Sequence, residues 1–325
     1  MNRIPVLADL PLAEYFAPLL DKEIELIDLS EFQNSAELQQ SLGPKIEGLL
    51  TYGHPHIDST LLSLLPNLKV ISNHGVGVDH INLADARAKG VPVAHTPGAN
   101  DGATADLAIT LMLVAARKVI ASNRFANSEH YRDPRFSDQQ ILALRGCDVF
   151  GATLGIVGLG RVGRQIAKRA AGFDMKVLYH KRNRDLDAEA SLHVEYASLD
   201  EVLQRSDFVV LAVPLSATTF RMIGSNQFKQ MKPNAIFVNV ARGGLVDTDA
   251  LVAALTNKTI RAAALDVTDP EPLPAGHPLH LMANVTITPH IGSFTEQTRR
   301  GMAELTVRNL LTGLQGKRLE FDATR

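Results

Sequence analysis

Short apolar runs alternate with amphipathic stretches along nearly the whole chain. In the first hundred residues the runs are Ile4–Leu7, Ile24–Leu29, Ile46–Leu50, Leu68–Ser72 and Val91–His95, with helical spacing between them in Ser35–Leu42 and Asp58–Leu65. Strands alternating with helices predict a parallel sheet covered by helices on both faces. Thr96–Gly102 has the composition of a loop. Thr104–Lys118 is small and apolar nearly throughout and reads as a buried helix crossing into a second domain. Residues 122–145 are polar, spotted with aromatics and weakly periodic, which suggests an exposed arm that packs on a second subunit.

The pattern then resumes. Strands are expected at Thr153–Val157, Met175–His180, Phe208–Val213, Ala235–Val240, Ala262–Asp266 and Val285–Thr288. Helices are expected at Ser198–Gln204, at Ser225–Met231 before Pro233, at Ala250–Leu255 with Asp247 as its cap, and from a Ser293 cap to about Thr312. Both halves use strand–helix units, but no sequence repeat relates them.

The first strand of the second half runs into Gly158-Leu159-Gly160-Arg161-Val162-Gly163 and then an amphipathic helix. This is G-x-G-x-x-G in the context that gives it meaning. Gly158 allows a tight turn, Gly160 lets the backbone approach a pyrophosphate, and Gly163 lets the helix pack on the strand. The helix N-terminus offers N–H groups and a positive dipole end to phosphates.

A site for unphosphorylated ribose wants an acid at the end of the next strand, about 20 residues on. Here the strand ends in His180-Lys181-Arg182-Asn183-Arg184. Cations in that place suit a ribose 2′-phosphate, so NADP(H) is favoured, with NAD(H) possible. Arg182 is the first choice of contact, and Lys181 and Arg184 are the second.

Composition narrows the rest. The 325 residues are enough for two domains. A net charge of −2 gives no general attraction to nucleic acid or anionic membrane. The longest apolar run, Leu107–Ala116, is too short to span a bilayer, and no secretory signal is visible, so the expected location is cytoplasmic. Cys147 is the only cysteine, which excludes an internal disulfide and a cysteine-rich metal site.

Three groups follow predicted strand ends, where open α/β sheets bind ligands: Arg242, Glu271 and His290. An arginine can hold a carboxylate, a histidine can give a proton, and a glutamate can stabilise its imidazolium. That set suits reduction of a 2-keto acid. In the first half, Asn73-His74-Gly75-Val76-Gly77-Val78-Asp79 follows a strand, and its amides could form a small anion-binding concavity.

Five motifs in order carry a family resemblance: His74–Asp79, Gly158–Gly163, Asn239–Asp247, Ala264–Val267 with Glu271-Pro272, and Thr288–Ser293. With them the chain resembles the D-isomer-specific 2-hydroxyacid dehydrogenases, in their glyoxylate/hydroxypyruvate reductase branch. The resemblance implies an α/β fold of two doubly wound parallel-sheet domains with a cleft between them. A discontinuous flavodoxin-like substrate domain would span residues 1–99 and 291–325. A Rossmann dinucleotide domain would span 100–290, with a dimerisation arm near 122–145 and a homodimer as the usual assembly.

The resemblance also implies Arg242, Glu271 and His290 as catalytic residues and the amides of Val76 and Gly77 as the carboxylate site. Ala241 and Asp266 would flank the nicotinamide carboxamide and Val213-Pro214 the adenosine, with His180 and Thr104 among the cofactor contacts. Substrate side chains would meet Tyr52-Gly53-His54, Asn100 and Phe294. The expected activity is NADPH-dependent reduction of glyoxylate or hydroxypyruvate to the D-hydroxy acid. The alternatives are a dehydrogenase of a larger acid (2-ketogluconate, hydroxyphenylpyruvate or 3-phosphoglycerate) and a non-enzymatic dinucleotide sensor of the corepressor kind.

Overall fold

All the named strands pair in parallel, in two separate sheets. The computed structural model describes residues 3–9, 16, 18–20, 22–53, 55–133 and 138–325. His54, residues 134–137 of the expected arm, and positions 1–2 and 10–15 of the N-terminal stretch lie outside the described residues. The chain divides into two compact units, Met1–Asn100 with Phe294–Arg325, and Asp101–Ser293.

The first unit holds β1 (Ile4–Ala8), β2 (Ile24–Asp28), β3 (Gly48–Thr51), β4 (Val70–Asn73) and β5 (Val93–Ala94), in the order β2-β1-β3-β4-β5. Its helices before the crossing are α1 (Leu29–Asn34), α2 (Ala36–Leu42), α3 (Ser59–Ser63) and α4 (Leu83–Ala88). Period-2 alternation sends Leu7, Leu49 and Ile71 to one face, with Phe32, Leu61 and Leu62. Val6, Ala8, Leu50 and Val70 face the other way, against Phe16 and the C-terminal helix residues Ala303, Val307 and Leu310. Burial on both faces explains why these strands read as continuous apolar runs.

The second unit begins with α5 (Asp101–Ala116), α6 (Val119–Ala126) and α7 (Glu129–Arg132). It continues with β6 (Thr153–Val157), α8 (Arg161–Ala171), β7 (Lys176–His180), α9 (Leu186–Leu192), β8 (Glu195–Tyr196), α10 (Leu199–Arg205) and β9 (Phe208–Leu211). Then come α11 (Ser225–Gln230), β10 (Ile236–Asn239), α12 (Thr248–Thr256), β11 (Ala262–Leu265), α13 (Pro278–Leu281) and β12 (Val285–Ile287). The sheet order is β12-β11-β10-β9-β6-β7-β8. The direction of winding reverses at β6, the topological switch point where such sheets bind dinucleotides. Helix α14 (Glu296–Leu314) belongs to the first unit.

Two expectations need correction. Asp101 and Gly102 are helical rather than loop; the Gly102 carbonyl accepts Arg169 Nη2 at 3.2 Å, and α5 packs closely on α8. All of α5 lies in the second unit, so the chain enters that unit at the start of this helix. The cap of α14 is Thr295, whose Oγ1 accepts from Thr298 N at 3.3 Å, not Ser293. Asp247 does cap α12, accepting from Ala250 N at 3.0 Å. Among the described residues no helix is long and apolar enough to cross a membrane.

His74, just past β4, is 1% exposed, edge-on to Phe16 and beside the Tyr52 ring. Thr306 gives its own proton to Met302 O, so His74 Nδ1–H donates to Thr306 Oγ1 at 3.3 Å. Burial pushes the ring pKa down to about 4. An unfolded histidine titrates near 6.5, so between these values the unfolded chain binds more protons and stability rises with pH. His74→Phe keeps the ring contacts and removes the titration. In urea unfolding at pH 4.5 and pH 7, the wild type should lose roughly 2 kcal/mol more than the variant on acidification. Equal losses would show that this ring is not held neutral.

Candidate active site

Strand register brings the candidate groups of the second unit to one edge of its sheet. Val157 is level with His180 and Leu211, Leu211 with Asn239, Asn239 with Leu265, and Leu265 with Ile287. The glycine turn, Val213-Pro214, Ala241-Arg242, Asp266 and the 288–290 turn therefore all emerge at the carboxyl edge.

Gly158 has φ +104, and a Cβ there would lie 2.5 Å from Ala212 O and 2.6 Å from Val213 Cγ1. A Cβ on Gly163 would strike Gly158 O. Both positions require glycine. Gly160 has no such neighbour within 4 Å, so open space lies against its backbone. The first turn of α8 starts at Arg161 and leaves amides with no helical carbonyl to bond. Leu159 is buried in the core, Val162 is half-buried against it, and Arg161 is exposed. These residues fit a pyrophosphate resting on the turn.

The basic tract is unevenly committed. Lys181 Nζ lies 3.0 Å and Arg164 Nη2 2.5 Å from Asp185 Oδ2, and the Lys181 hydrogen bond leads the causes that hold the Asp185 carboxyl below the usual range. Arg184 is bidentate on Glu189 at 2.8 and 2.7 Å. His180 Nδ1 bonds Ala197 O at 3.2 Å. Arg182 is exposed and has no ion pair among the described residues.

Asn239, the last residue of β10 and 1% exposed, donates Nδ2 to Arg242 O at 2.8 Å and accepts Ala241 N at 3.0 Å. It shapes the Arg242 turn, and Arg242 Nη1 donates to Ala241 O at 2.9 Å. A Cβ on Gly243 would run into the Thr268 carbonyl, so this turn presses on the 268–271 loop.

Asp266 is 2% exposed and fixes the histidine turn. Its Oδ1 accepts Thr288 Oγ1 at 2.6 Å and Ile291 N at 2.8 Å, and its Oδ2 accepts Gly292 N at 2.8 Å. The His290 N–H bonds Asp266 O at 2.8 Å, with His290 at φ +54. Thr104 Oγ1 donates to Gly292 O at 3.3 Å, which gives Thr104 a bracing place behind the same turn. The His290 ring meets Glu271, Nδ1 to Oε1 2.6 Å, and Glu271 Oε2 accepts Thr268 N at 3.2 Å. The side chains of the pair are 33% and 40% exposed, so both can reach a ligand.

In the first unit, register places Asp9, Tyr52, His74–Gly77 and His95 at one carboxyl edge. The Asp9 carboxylate accepts the Gly53 N–H. Tyr52 OH bonds Arg299 Nη2, and the guanidinium lies 4.5 Å from the Tyr52 ring and 4.6 Å from the Phe294 ring. Along the chain Asn239 marks only the start of the Asn239–Asp247 motif, and Arg299 has no visible role. A polar residue ending an otherwise apolar strand was the available signal for Asn239.

The profile described as "D-isomer specific 2-hydroxyacid dehydrogenase, NAD binding domain" matches residues 109–292. A glyoxylate reductase of Thermococcus gammatolerans is 42% identical over 272 residues, 84% of this chain and 81% of that protein. An NADPH-dependent glyoxylate/hydroxypyruvate reductase of Sinorhizobium meliloti, solved with NADP and malonate, superposes with a TM-score of 0.88 at 27% identity, over 99% of this chain and 98% of that one. The D-mandelate dehydrogenase of Rhodotorula graminis gives 0.84 at 30% identity, over 100% and 99%.

Asp266→Asn replaces an acceptor by an NH2 group among three donors. Leaving buried donors unpaired costs about 1–3 kcal/mol, and calorimetry should show Tm lower by about 4–8 °C. An unchanged Tm would remove Asp266 as the brace of the His290 turn.

Proposed function

The chain belongs to the D-isomer-specific 2-hydroxyacid dehydrogenases, and from that premise we propose that it reduces small 2-keto acids, glyoxylate and hydroxypyruvate foremost, to D-2-hydroxy acids with NADPH. The observation that carries the reading is the His290–Glu271 pair at 2.6 Å, on the same sheet edge as the glycine turn and Arg242. The cofactor, when bound, supplies the hydride. Arg242 holds the carboxylate and carbonyl of the acid. Glu271 binds the Nδ1 proton of His290 and stabilises the imidazolium, so the ring delivers its Nε2 proton to the developing alkoxide. Within the first unit, the Val76 and Gly77 amides are suited to an acid's carboxylate and Tyr52 to a substrate side chain.

Gly158, Leu159, Gly160, Arg161, Val162 and Gly163 cradle the pyrophosphate. Val213 and Pro214 line the adenosine, and Ala241 and Asp266 flank the carboxamide. Arg182 takes the 2′-phosphate, because Lys181 and Arg184 are already matched to acids. Val119, Ile120, Tyr131, Ile141 and Leu142 are exposed apolar side chains suited to burial against a second copy.

Steady-state kinetics with both cofactors test the reading. We expect kcat/KM to favour NADPH, and Arg182→Ala to lower it about 10- to 100-fold for NADPH with little change for NADH. A wild-type preference for NADH would sink the assignment. His290→Ala should lower kcat roughly 10²- to 10⁴-fold while NADPH still binds, as followed by nicotinamide fluorescence. Near-normal turnover would remove His290 from proton transfer. A panel including bulky keto acids reports the substrate class, and a preference for the bulky ones would displace glyoxylate and hydroxypyruvate.

A further inference from the structure

We propose that Asn73 and His95 are positioning residues that hold the 75–77 turn with its carbonyls drawn inward, so that its amides face a substrate carboxylate. The inference rests on the function proposed above and says what gives the Val76–Gly77 turn its direction.

Asn73 ends β4 and is 1% exposed. Its Nδ2 donates to two carbonyls of the turn, Gly75 O at 2.8 Å and Gly77 O at 2.9 Å. Its Oδ1 accepts from Thr51 Oγ1 at 2.7 Å, at the end of the neighbouring strand. The two carbonyls set the amide's orientation, since the reverse would press an oxygen against both of them. The carbonyl between them, Val76 O, lies 2.9 Å from His95 Nδ1. A carbonyl can only accept, so His95 carries its proton on Nδ1. His95 is itself held: its carbonyl accepts Asn309 Nδ2 at 3.1 Å, and its ring stands edge-on to Phe321. Thr96 N adds a second donor to Gly75 O at 3.2 Å.

Three consecutive carbonyls are therefore bound from behind. A trans peptide is planar, with C=O and the following N–H pointing opposite ways. Drawing in the oxygens of Gly75, Val76 and Gly77 turns out the N–H groups of Val76, Gly77 and Val78. Among the described residues no acceptor stands against these three amides, and the turn is half-buried. Glycine at 75 and 77 would otherwise leave these peptides free to rotate. With the donors fixed before the anion arrives, binding does not have to order them.

Asn73→Asp keeps the shape and replaces the NH2 donor by an oxygen. His95→Phe keeps the ring beside Phe321 and removes one donor. We expect Asn73→Asp to raise KM for glyoxylate and the inhibition constant of oxamate together, about 10- to 100-fold, and His95→Phe about 3- to 10-fold. The kcat and the NADPH Kd should stay within a few-fold of wild type. A merely structural role would not separate KM from kcat in this way. Folded variants with wild-type KM and oxamate inhibition overturn the inference. If Asn73→Asp does not fold, His95→Phe decides alone. If the wild type reduces no keto acid in the panel, the proposed function fails by itself. Calorimetric titration of oxamate into the protein–NADP⁺ complex then tests the turn. Binding weakened by the substitutions supports the inference, and equal binding, or no binding to the wild type, overturns it.

Discussion

The candidate site depends on one buried carboxylate, Asp266. Burying an ionised carboxylate is unfavourable unless its oxygens are fully hydrogen-bonded. Here Thr288 Oγ1, Ile291 N and Gly292 N supply the bonds. Two of those donors belong to the backbone just past His290, so satisfying the charge dictates the path of that backbone. His290 is thereby held at φ +54, in the left-handed region that residues with a side chain adopt only occasionally. The ring direction follows from the turn, and with it the 2.6 Å contact with Glu271.

The same device recurs in neutral form. Asn239 ends β10 and bonds the Arg242 turn; Asn73 ends β4 and bonds the 75–77 turn. A parallel strand that stops leaves backbone groups at a nearly buried edge, and these need partners. A short amide or carboxylate at or just past the last strand position supplies them and stiffens the loop beyond. The Arg242, His290 and 75–77 turns are thus each fixed from below by a polar side chain at the end of a strand.

This explains what could be read from the chain. The strands were legible because both faces of a parallel sheet are buried, which leaves apolar runs with little polar interruption. The roles of Gly158 and Gly163 were legible because only steric demands decide them, and the Cβ clashes match. Positions decided by distant contacts were harder to see. Ser293 and Thr295 are equally good caps by type, and the choice was made by where the chain leaves the turn held by Asp266. Asp101 and Gly102 look like loop, but packing of α5 on α8 draws them into the helix. Arg242, Glu271 and His290 were visible as strand-end residues. Their braces were less visible: Asn239 stands three residues before Arg242 in the same motif but shows its partners only in the folded turn, and Asp266 reaches the His290 turn from the neighbouring strand.

The basic tract after β7 shows the same limit in electrostatic terms. Counted along the chain, Lys181, Arg182 and Arg184 are three equivalent cations. In the fold, α9 begins at the same corner and brings Asp185 at its cap and Glu189 in its first turn. Asp185 takes Lys181, and Glu189 takes Arg184 through both oxygens. An incoming 2′-phosphate would have to compete with those carboxylates for either cation, whereas at Arg182 it displaces only water. Selectivity for a phosphorylated ribose would then come from the one cation of the tract that the neighbouring acids leave unmatched, rather than from its total charge.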